Sequence, residues 1–238
     1  MIHLDQLRFR YEDMEMAFDA VFPQGCFSAI IGPSGSGKST LLNLIAGFEA
    51  PQSGRVLIGG QDVTRLPPDK RPVNMIFQDN NVFAHLTLWQ NVALGIAPSV
   101  ALDPDQKARV DAALKEVGLA PLAARKPGEV SGGERQRVAV ARALVRDRPV
   151  LLLDEPFAAL GPALRRDMLD LVKAMQAAKG LTVLMVSHQP EDAEYAASHT
   201  AYLENGRLLA LKPTADLFAA TDLPGLQAYL GDWRSPGL

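Results

Sequence analysis

A glycine-rich segment that ends in a lysine and a serine carries the clearest chemistry in this sequence. Residues 32–39 read Gly-Pro-Ser-Gly-Ser-Gly-Lys-Ser and fit the pattern G-x-x-x-x-G-K-[ST] at every fixed position. Glycines allow a backbone to curl so that successive N–H groups point at the oxygens of a phosphate. A helix predicted to begin near Lys38 adds partial positive charge at its N-terminus. This segment, the phosphate loop, therefore predicts a nucleotide site.

Two side chains of the phosphate loop have specific expected roles. Lys38 is expected to reach the β- and γ-phosphates, and the Ser39 hydroxyl is expected to ligate Mg²⁺. The alternative is a simple glycine-rich turn, but an apolar strand predicted at 27–31 and the helix that follows favour the nucleotide site. The other predicted nucleotide contacts are Gly32, Pro33, Ser34, Gly35, Ser36, Gly37 and Thr40.

Two acidic residues follow an apolar run further along the chain. Residues 150–153 are Val-Leu-Leu-Leu and predict a buried strand that ends in Asp154 and Glu155. Alone, this pattern would equally fit a solvated strand end. Together with the phosphate loop, it predicts that Asp154 holds Mg²⁺ through water and that Glu155 is the general base for an attacking water. The two motifs indicate a nucleotide hydrolase or a kinase.

Composition excludes several other classes of protein. The 238 residues include 24 Lys and Arg against 27 Asp and Glu, so no general basic field attracts nucleic acid or anionic lipid. Cys26 is the only cysteine, which rules out an internal disulfide and is typical of a reducing compartment. The apolar runs are much shorter than the roughly 18–20 residues that span a bilayer. We therefore expect a soluble, cytoplasmic chain that reaches a membrane only through other subunits.

The elements that must position these residues form an α/β pattern in two halves. Short β-like segments occupy residues 3–63, with one helix at 38–46. Apolar strands and helices alternate again after Pro149, which predicts a mainly parallel sheet flanked by helices. The predicted elements of this second half are strand 150–153, helix 162–178, strand 181–187, a short helix from 191, and strand-like segments at 201–205 and 207–211.

A mostly helical stretch separates the two halves. Helical spacing or helix-forming composition predicts helices at 88–96, 104–117 and 134–145. We therefore expect one domain spanning residues 1–238. Its core lobe comprises residues 1–85 and 149–238, and its inserted helical subdomain comprises residues 86–148.

Residues 130–137, Val-Ser-Gly-Gly-Glu-Arg-Gln-Arg, narrow the class further. This signature segment resembles that of the ATP-binding-cassette (ABC) ATPases, usually Leu-Ser-Gly-Gly-Gln, with valine first and glutamate last. A serine N-cap and two glycines at the start of a helix direct a hydroxyl and N–H groups toward an anion. The resemblance implies that this anion is the γ-phosphate bound by a second subunit, contacted in trans by Ser131, Gly132, Gly133 and Glu134.

Three further residues match this family in the expected order. Gln78, at the end of a short apolar strand, resembles the glutamine that contacts Mg²⁺ and water and links the two lobes. His188 resembles the switch histidine that contacts the γ-phosphate. Tyr11 resembles the aromatic that stacks on adenine, with Phe9 as the alternative and an ordinary strand aromatic as the third reading. The resemblance implies an α/β P-loop ATPase core with an N-terminal antiparallel β region and an inserted helical subdomain.

One position departs from the family's pattern. The loop after the acidic strand usually ends in an aspartate that helps to couple the two sites of the dimer, and this chain has Gly161 there. The departure bears on hydrolysis rate and coupling, and not on nucleotide binding. A glycine at this point is expected to permit a backbone turn before Pro162.

Within the family, the chain is similar to ATPase subunits of bacterial importers. Residues 71–87, with the pair Asn80-Asn81, and residues 162–165 resemble the ATPases that drive import of thiamine or its phosphates. A length of 238 residues leaves no room for the C-terminal regulatory domain of many other importer ATPases, which also fits the thiamine group. Import of iron, polyamines or sugars, a regulatory cassette with weak hydrolysis, and a P-loop kinase are the alternatives.

The resemblance also implies an assembly. It is a homodimer with ATP and Mg²⁺ at its interface, beneath two membrane-spanning permease subunits on the cytoplasmic face of the inner membrane. A periplasmic solute-binding protein acts through those permeases. The permeases are expected to dock in a groove near Gln78 and residues 80–86. No nucleic-acid partner is expected, because the arginines of the helix at 134–145 fit the solvated side of an amphipathic helix.

Overall fold

A computed structural model describes residues 1–11, 14–78, 82–99 and 101–234. The pair Asn80-Asn81 and part of the expected docking groove lie outside the described residues. The strands are β1 (Ile2–Tyr11), β2 (Met14–Phe22), β3 (Phe27–Ile31), β4 (Ser53–Ile58), β5 (Gln61–Asp62), β6 (Val73–Ile76), β7 (Val150–Asp154), β8 (Thr182–Val186), β9 (His199–Glu204) and β10 (Arg207–Pro213). The α-helices are α1 (Lys38–Ala46), α2 (Leu88–Ala93), α3 (Pro104–Glu116), α4 (Gly132–Arg146), α5 (Pro162–Lys179), α6 (Pro190–Ala196), α7 (Thr214–Ala219) and α8 (Pro224–Arg234).

All of these strands belong to one sheet with two differently built regions. Its order is β5-β4-β1-β2-β10-β9-β3-β8-β7-β6. Strands β9, β3, β8, β7 and β6 pair in parallel, whereas β1, β2, β4 and β5 pair antiparallel. The prediction of a mainly parallel core with an N-terminal antiparallel region is confirmed.

The centre of the sheet is built from fully buried strands. Every residue of β3 and β8 is buried, as are the first four residues of β7. Strands covered on both faces read as continuous apolar runs, which is why these three were predictable from composition. Because they are parallel, their carboxyl ends meet at one edge of the sheet, where the phosphate loop follows β3, Asp154 ends β7 and His188 lies just after β8.

The two regions of the sheet meet at a hairpin formed by β9 and β10. The sequence predicts both strands, but not that they pair antiparallel with each other. They are joined by Asn205 and Gly206, both at positive φ (49° and 73°). Asn-Gly between two apolar runs is a strong hairpin signal, so the information was present in the sequence. β10 then pairs with β2 at Arg207 and Ala17.

The helical stretch packs as a layer of three helices. α2, α3 and α4 contact one another, and α4 also packs against β6 and α5. The buried residues of α4 include Val138, Ala141, Leu144 and Val145, which confirms its predicted apolar stripe. The apolar core runs without a break from these helices to β7. The division into a core lobe and a helical subdomain therefore stays a prediction.

Two C-terminal helices, α7 and α8, were not predicted. The buried residues Leu226 and Leu230 attach α8 to the main core. In the part of the chain that the structure describes, no helix combines the length and the apolar character needed to cross a membrane.

Candidate functional site

The phosphate loop connects β3 to α1 in a conformation that requires glycine. Gly32 has a φ of 148°, and a Cβ there would lie 1.9 Å from the Leu203 carbonyl oxygen. Gly37, the N-cap of α1, is left-handed at φ 101°. An alanine at either position would be strained or would collide with backbone. The local sequence thus forms the curled loop that the motif predicted.

Lys38 lies beneath this loop and is almost fully buried. Its Nζ donates to the carbonyl oxygens of Gly32 and Pro33, both at 2.8 Å. Burial lowers the pKa of Lys38, and the nearby carboxylates of Glu155 and Asp154 partly oppose that shift. The ammonium is therefore held at the centre of the loop, beside the acids that end β7.

Ser39 and Asp154 bring two oxygen ligands together. The Ser39 hydroxyl donates to Asp154 Oδ1 over 2.9 Å. Burial raises the pKa of Asp154, while the Ser39 hydrogen bond acts in the opposite direction. One carboxylate and one hydroxyl beside a phosphate loop fit the hard oxygen ligands that Mg²⁺ prefers, with waters and phosphates completing the shell.

Glu155 is held in an unusual backbone conformation next to His188. Its φ is 48°, in the left-handed region that non-glycine residues seldom adopt, and its N–H donates to the Val186 carbonyl. His188 Nε2 lies 2.5 Å from Glu155 Oε1. Backbone strain of this kind is found where a side chain must be aimed, so the turn after β7 directs the Glu155 carboxylate at the histidine.

The loop, Glu155 and His188 face a common cavity of about 470 Å³. Tyr11, at the end of β1, stands at its rim and is 54% exposed, whereas Phe9 packs against the apolar core. This placement favours Tyr11 over Phe9 as the adenine contact. The residues that line this nucleotide cavity are Tyr11, Met14, Met16, Ser34, Gly35, Gly37, Lys38, Ser39, Thr40, Glu155 and His188.

Met14 and Met16 line the cavity and were not among the predicted site residues. They lie at alternate positions of β2, so their side chains share one face of the strand, and Met16 also packs against Gly37. Polarizable methionine side chains suit an apolar wall for a planar ring. The signal was the alternation within β2, which predicts a shared face but does not say what that face contacts.

Gln78 is the predicted site residue that stands apart. The expectation that it ends a strand is wrong, because β6 ends at Ile76 and Gln78 lies in an exposed turn two residues later. It is absent from the lining of the nucleotide cavity as far as the chain is described. Its assigned contact with Mg²⁺ and water stays a prediction.

The signature segment begins α4 as predicted but lies outside the nucleotide cavity. Ser131 is the N-cap, and its N–H and hydroxyl both donate to Glu134 Oε2 at 2.7 Å. The Ser131 hydroxyl lowers the pKa of Glu134 through this hydrogen bond. Gly133 is buried against α5, where a Cβ would meet Leu164 Cδ2 at 2.5 Å, whereas Gly132 is exposed.

Gly161 precedes α5 in ordinary extended backbone. Its φ and ψ are −65° and 160°, values open to any residue, and nothing lies within 4 Å of a Cβ placed there. The expectation that glycine permits a turn before Pro162 is therefore wrong. The N-cap position of α5 lacks a side-chain acceptor because of this glycine.

Comparison with known proteins identifies the family of this chain. The sequence pattern of the ABC transporter family matches residues 17–158. A thiamine import ATP-binding protein of Mesorhizobium japonicum is 54% identical over 97% of this chain and 91% of its own length. That of Brucella suis is 53% identical over 98% of this chain and 97% of its own, and that of Salmonella paratyphi A is 47% identical over 97% and 100%.

Solved structures give the same result for the fold. An ATP-binding cassette of an ABC transporter in its ADP conformation superposes with a TM-score of 0.87, at 25% identity over 97% of this chain and 98% of that one. A dimeric cassette bound to ADP and Pi, in a post-hydrolysis state, has a TM-score of 0.76 at 29% identity over 90% and 99%. By fold and by full-length similarity, this chain belongs to the ABC transporter family, as one of its ATPase subunits.

Proposed function

We propose that this chain binds MgATP in the nucleotide cavity and uses its hydrolysis to drive a thiamine importer. The observation that carries the hydrolytic part is the 2.5 Å contact of Glu155 Oε1 with His188 Nε2 at the edge of a cavity that the phosphate loop borders. The solute is proposed from curated thiamine import proteins that are 53–54% identical over nearly the whole chain.

The phosphate loop binds and orients the triphosphate. Its N–H groups and Lys38 Nζ offset the negative charge of the β- and γ-phosphates, and Ser39 and Asp154 hold Mg²⁺. When bound, Mg²⁺ neutralises charge on the same phosphates. Tyr11 stacks on adenine over the apolar wall of Met14 and Met16.

Glu155 acts as the general base in this proposal. Its Oε1 is engaged by His188, so Oε2 is the oxygen that accepts the proton of the attacking water. His188 fixes the carboxylate in one orientation and contacts the γ-phosphate with the same ring. We assign Gln78 to the Mg²⁺ and water contact from its match to the family's glutamine.

The complete site requires a second copy of the chain. The signature segment does not face its own cavity, and its exposed start presents Ser131 and Gly132 to an anion from outside. Two of the solved cassettes with this fold are dimeric, one of them with ADP and Pi bound. We propose a head-to-tail homodimer in which Ser131, Gly132, Gly133 and Glu134 contact the partner's ATP.

Exposed aromatic side chains before and after Gln78 in the sequence support docking of membrane subunits. Phe48 and Phe83 are 53% and 47% exposed, and the Phe48 ring lies 5.6 Å from that of Phe77. Buried Asn91 holds the adjoining loop, donating from Nδ2 to the carbonyls of Phe83, Leu86 and Thr87. Exposed aromatic side chains such as these suit a helix of a permease at the cytoplasmic face of the membrane.

The other candidate functions have weaker support. A P-loop kinase would leave the signature segment without a role. A regulatory cassette is motivated by Gly161, whose position lacks the family's aspartate. Import of iron, polyamines or sugars requires only a different permease, because the solute does not enter this subunit.

The test measures hydrolysis and uptake together. Proteoliposomes are prepared from this chain together with the permease and the solute-binding protein of its own organism. They should accumulate labelled thiamine when MgATP is present on the side of the membrane that carries this subunit. Glu155→Gln should abolish uptake and hydrolysis but keep ATP binding, while the exposed Glu194→Gln should behave as the wild type. Uptake of iron, spermidine or a sugar instead of thiamine would contradict the solute, and wild-type turnover by Glu155→Gln would contradict the base.

A further inference from the structure

Helix α8 is fixed against the edge of the sheet that carries the site. Leu226 and Leu230 are fully buried on one side of it, and the Tyr229 ring lies 6.2 Å from that of Tyr202 in β9. At its start, Gly225 lies so close to Glu204 that a Cβ would come within 2.5 Å of the carboxylate. An acidic side chain beside a helix N-terminus favours the helix electrostatically. These contacts set the position of Tyr229.

The Tyr229 hydroxyl joins two loops of the nucleotide site. It donates to the His188 carbonyl oxygen over 3.1 Å, and the backbone N–H of Gly32 is near enough to this hydroxyl to lower its pKa. One oxygen atom therefore links the first residue of the phosphate loop to the histidine that contacts Glu155. Burial raises the pKa of Tyr229, so the hydroxyl keeps the proton that it donates.

The backbone beside His188 is held on its other sides as well. The Ser187 hydroxyl donates to Asp192 Oδ2 at 2.8 Å, and the Gln189 N–H donates to Ser187 Oγ at 3.1 Å. Those bonds fix the neighbours of His188. The Tyr229 bond engages the carbonyl of His188 itself, and it comes from a helix more than thirty residues further along the chain.

We propose that Tyr229 is a positioning residue for ATP hydrolysis, which holds the His188 loop at a fixed distance from the phosphate loop. The inference rests on the proposed function, because it gives Tyr229 its effect through His188. Catalysis depends on reacting groups being held to within a fraction of an ångström, so a hydrogen bond to the backbone of His188 affects turnover. The C-terminal helix thereby becomes part of the catalytic machinery.

The test is a double-mutant cycle on the full chain with MgATP. Tyr229→Phe keeps the ring and removes the hydroxyl, and we expect kcat to fall about three- to tenfold while KM changes less than about twofold. In a His188→Ala background, the same change should have no further effect on kcat. Tyr195→Phe is the matched control, because it removes a hydroxyl that donates to Asp170 on an exposed surface, and it should leave kcat unchanged.

A second measurement on the same variants does not depend on hydrolysis. Amide hydrogen exchange at Gly32 should be faster in Tyr229→Phe than in the wild type, because the hydroxyl beside that N–H is lost. Unchanged exchange would show that the hydroxyl does not hold the phosphate loop, and would overturn the proposal.

The outcomes separate this inference from the proposed function. A wild-type kcat for Tyr229→Phe, or an equal fall in kcat in the His188→Ala background, overturns the role of Tyr229 while leaving the assignment of His188 intact. If His188→Ala itself hydrolyses ATP at the wild-type rate, the assignment of His188 fails, and the role of Tyr229 fails with it.

Discussion

Arg71 donates from Nη1 to the carbonyl oxygen of Leu44 at 2.7 Å, and so caps the end of α1 opposite to the phosphate loop. The same nitrogen reaches the Ile45 carbonyl at 2.9 Å, while Nε and Nη2 donate to Leu66 and Thr64. A cation at a helix C-terminus complements the helix dipole. The helix that presents Lys38 at its start is thus held by a buried arginine at its end.

Replacing Arg71 should destabilise the fold strongly. Arg71→Ala leaves four carbonyl oxygens without their donor, and we expect a loss of at least about 3 kcal/mol in the free energy of unfolding, measured by urea denaturation. Arg55→Ala is the control, because Arg55 forms an exposed ion pair with Asp5 and should leave the denaturation midpoint nearly unchanged. Equal midpoints for the two variants would show that the cap is not structural.

The raised pKa of Asp154 gives a pH dependence of known sign. The pKa of Asp154 is higher in the folded protein than in the unfolded chain, so the folded state binds the proton more tightly. The free energy of unfolding therefore falls as the pH rises from the pKa of the unfolded chain through that of the folded protein. Asp154→Asn has no carboxyl group to titrate, so it does not lose stability in this way. Without nucleotide, the variant should become increasingly more stable than the wild type as pH increases from about 4 to 7.

The measurement for Asp154 is a series of denaturation curves across that pH range without nucleotide. Asp69→Asn is the control for removal of a carboxylate at an exposed position. A constant difference between Asp154→Asn and the wild type at every pH would contradict the assigned cause.

Much of the architecture was predictable because it is local in sequence. The first four residues of β7 are buried and form an apolar run in the sequence. The N-cap of α4 is indicated by Ser131 followed three residues later by Glu134. The phosphate loop is likewise a continuous motif. Each of these depends on residues within one short segment, so composition and spacing suffice to place them.

The features that escaped prediction depend on distant segments meeting. The four carbonyls that bind Arg71 come from α1 and from residues 64–66, and no local pattern marks that arginine as buried. Tyr229 lies near Gly32, from which most of the chain length separates it, and it contacts His188, which is 41 residues away in sequence. Such contacts are decided by tertiary packing, which the spacing of residues along one element does not encode.

Restoring aspartate at Gly161 should be tolerated. The backbone at this position is extended and the space around it is open, so a carboxylate introduced there can cap α5. Gly161→Asp should raise the free energy of unfolding by roughly 0.3 kcal/mol. We expect the ATPase rate to rise or stay unchanged. Gly161→Ala provides the control, since it adds a side chain without an acceptor. A large loss of hydrolysis in the aspartate variant alone would show that the glycine is required.

The two glycines of the signature segment should respond differently to alanine. Gly133→Ala places its Cβ 2.5 Å from Leu164, and overpacking of this kind costs about 1–3 kcal/mol in the free energy of unfolding. A Cβ placed at Gly132 would have Arg135 Nη2, 3.7 Å away, as its nearest neighbour, so Gly132→Ala should fold normally. Thermal unfolding of both variants compares them directly. A lower melting temperature for Gly132→Ala than for Gly133→Ala would contradict this account of the α4–α5 contact.

The Glu134 carboxylate should raise the ATP concentration that dimer formation requires. The Glu134 carboxylate accepts a hydrogen bond from the Ser131 hydroxyl. In the proposed dimer, that hydroxyl must instead donate to a phosphate oxygen of the partner's ATP. The negative charges of the Glu134 carboxylate and the phosphate also repel each other. Glutamine preserves the capping box without the charge, so Glu134→Gln should keep α4 intact. In a Glu155→Gln background, where ATP is not consumed, it should form the dimer at a lower ATP concentration, measured by size-exclusion chromatography with light scattering. Glu129→Gln is the control, since Glu129 caps the preceding turn and not the signature helix. An unchanged or higher ATP requirement for Glu134→Gln would show that this carboxylate assists the trans contact.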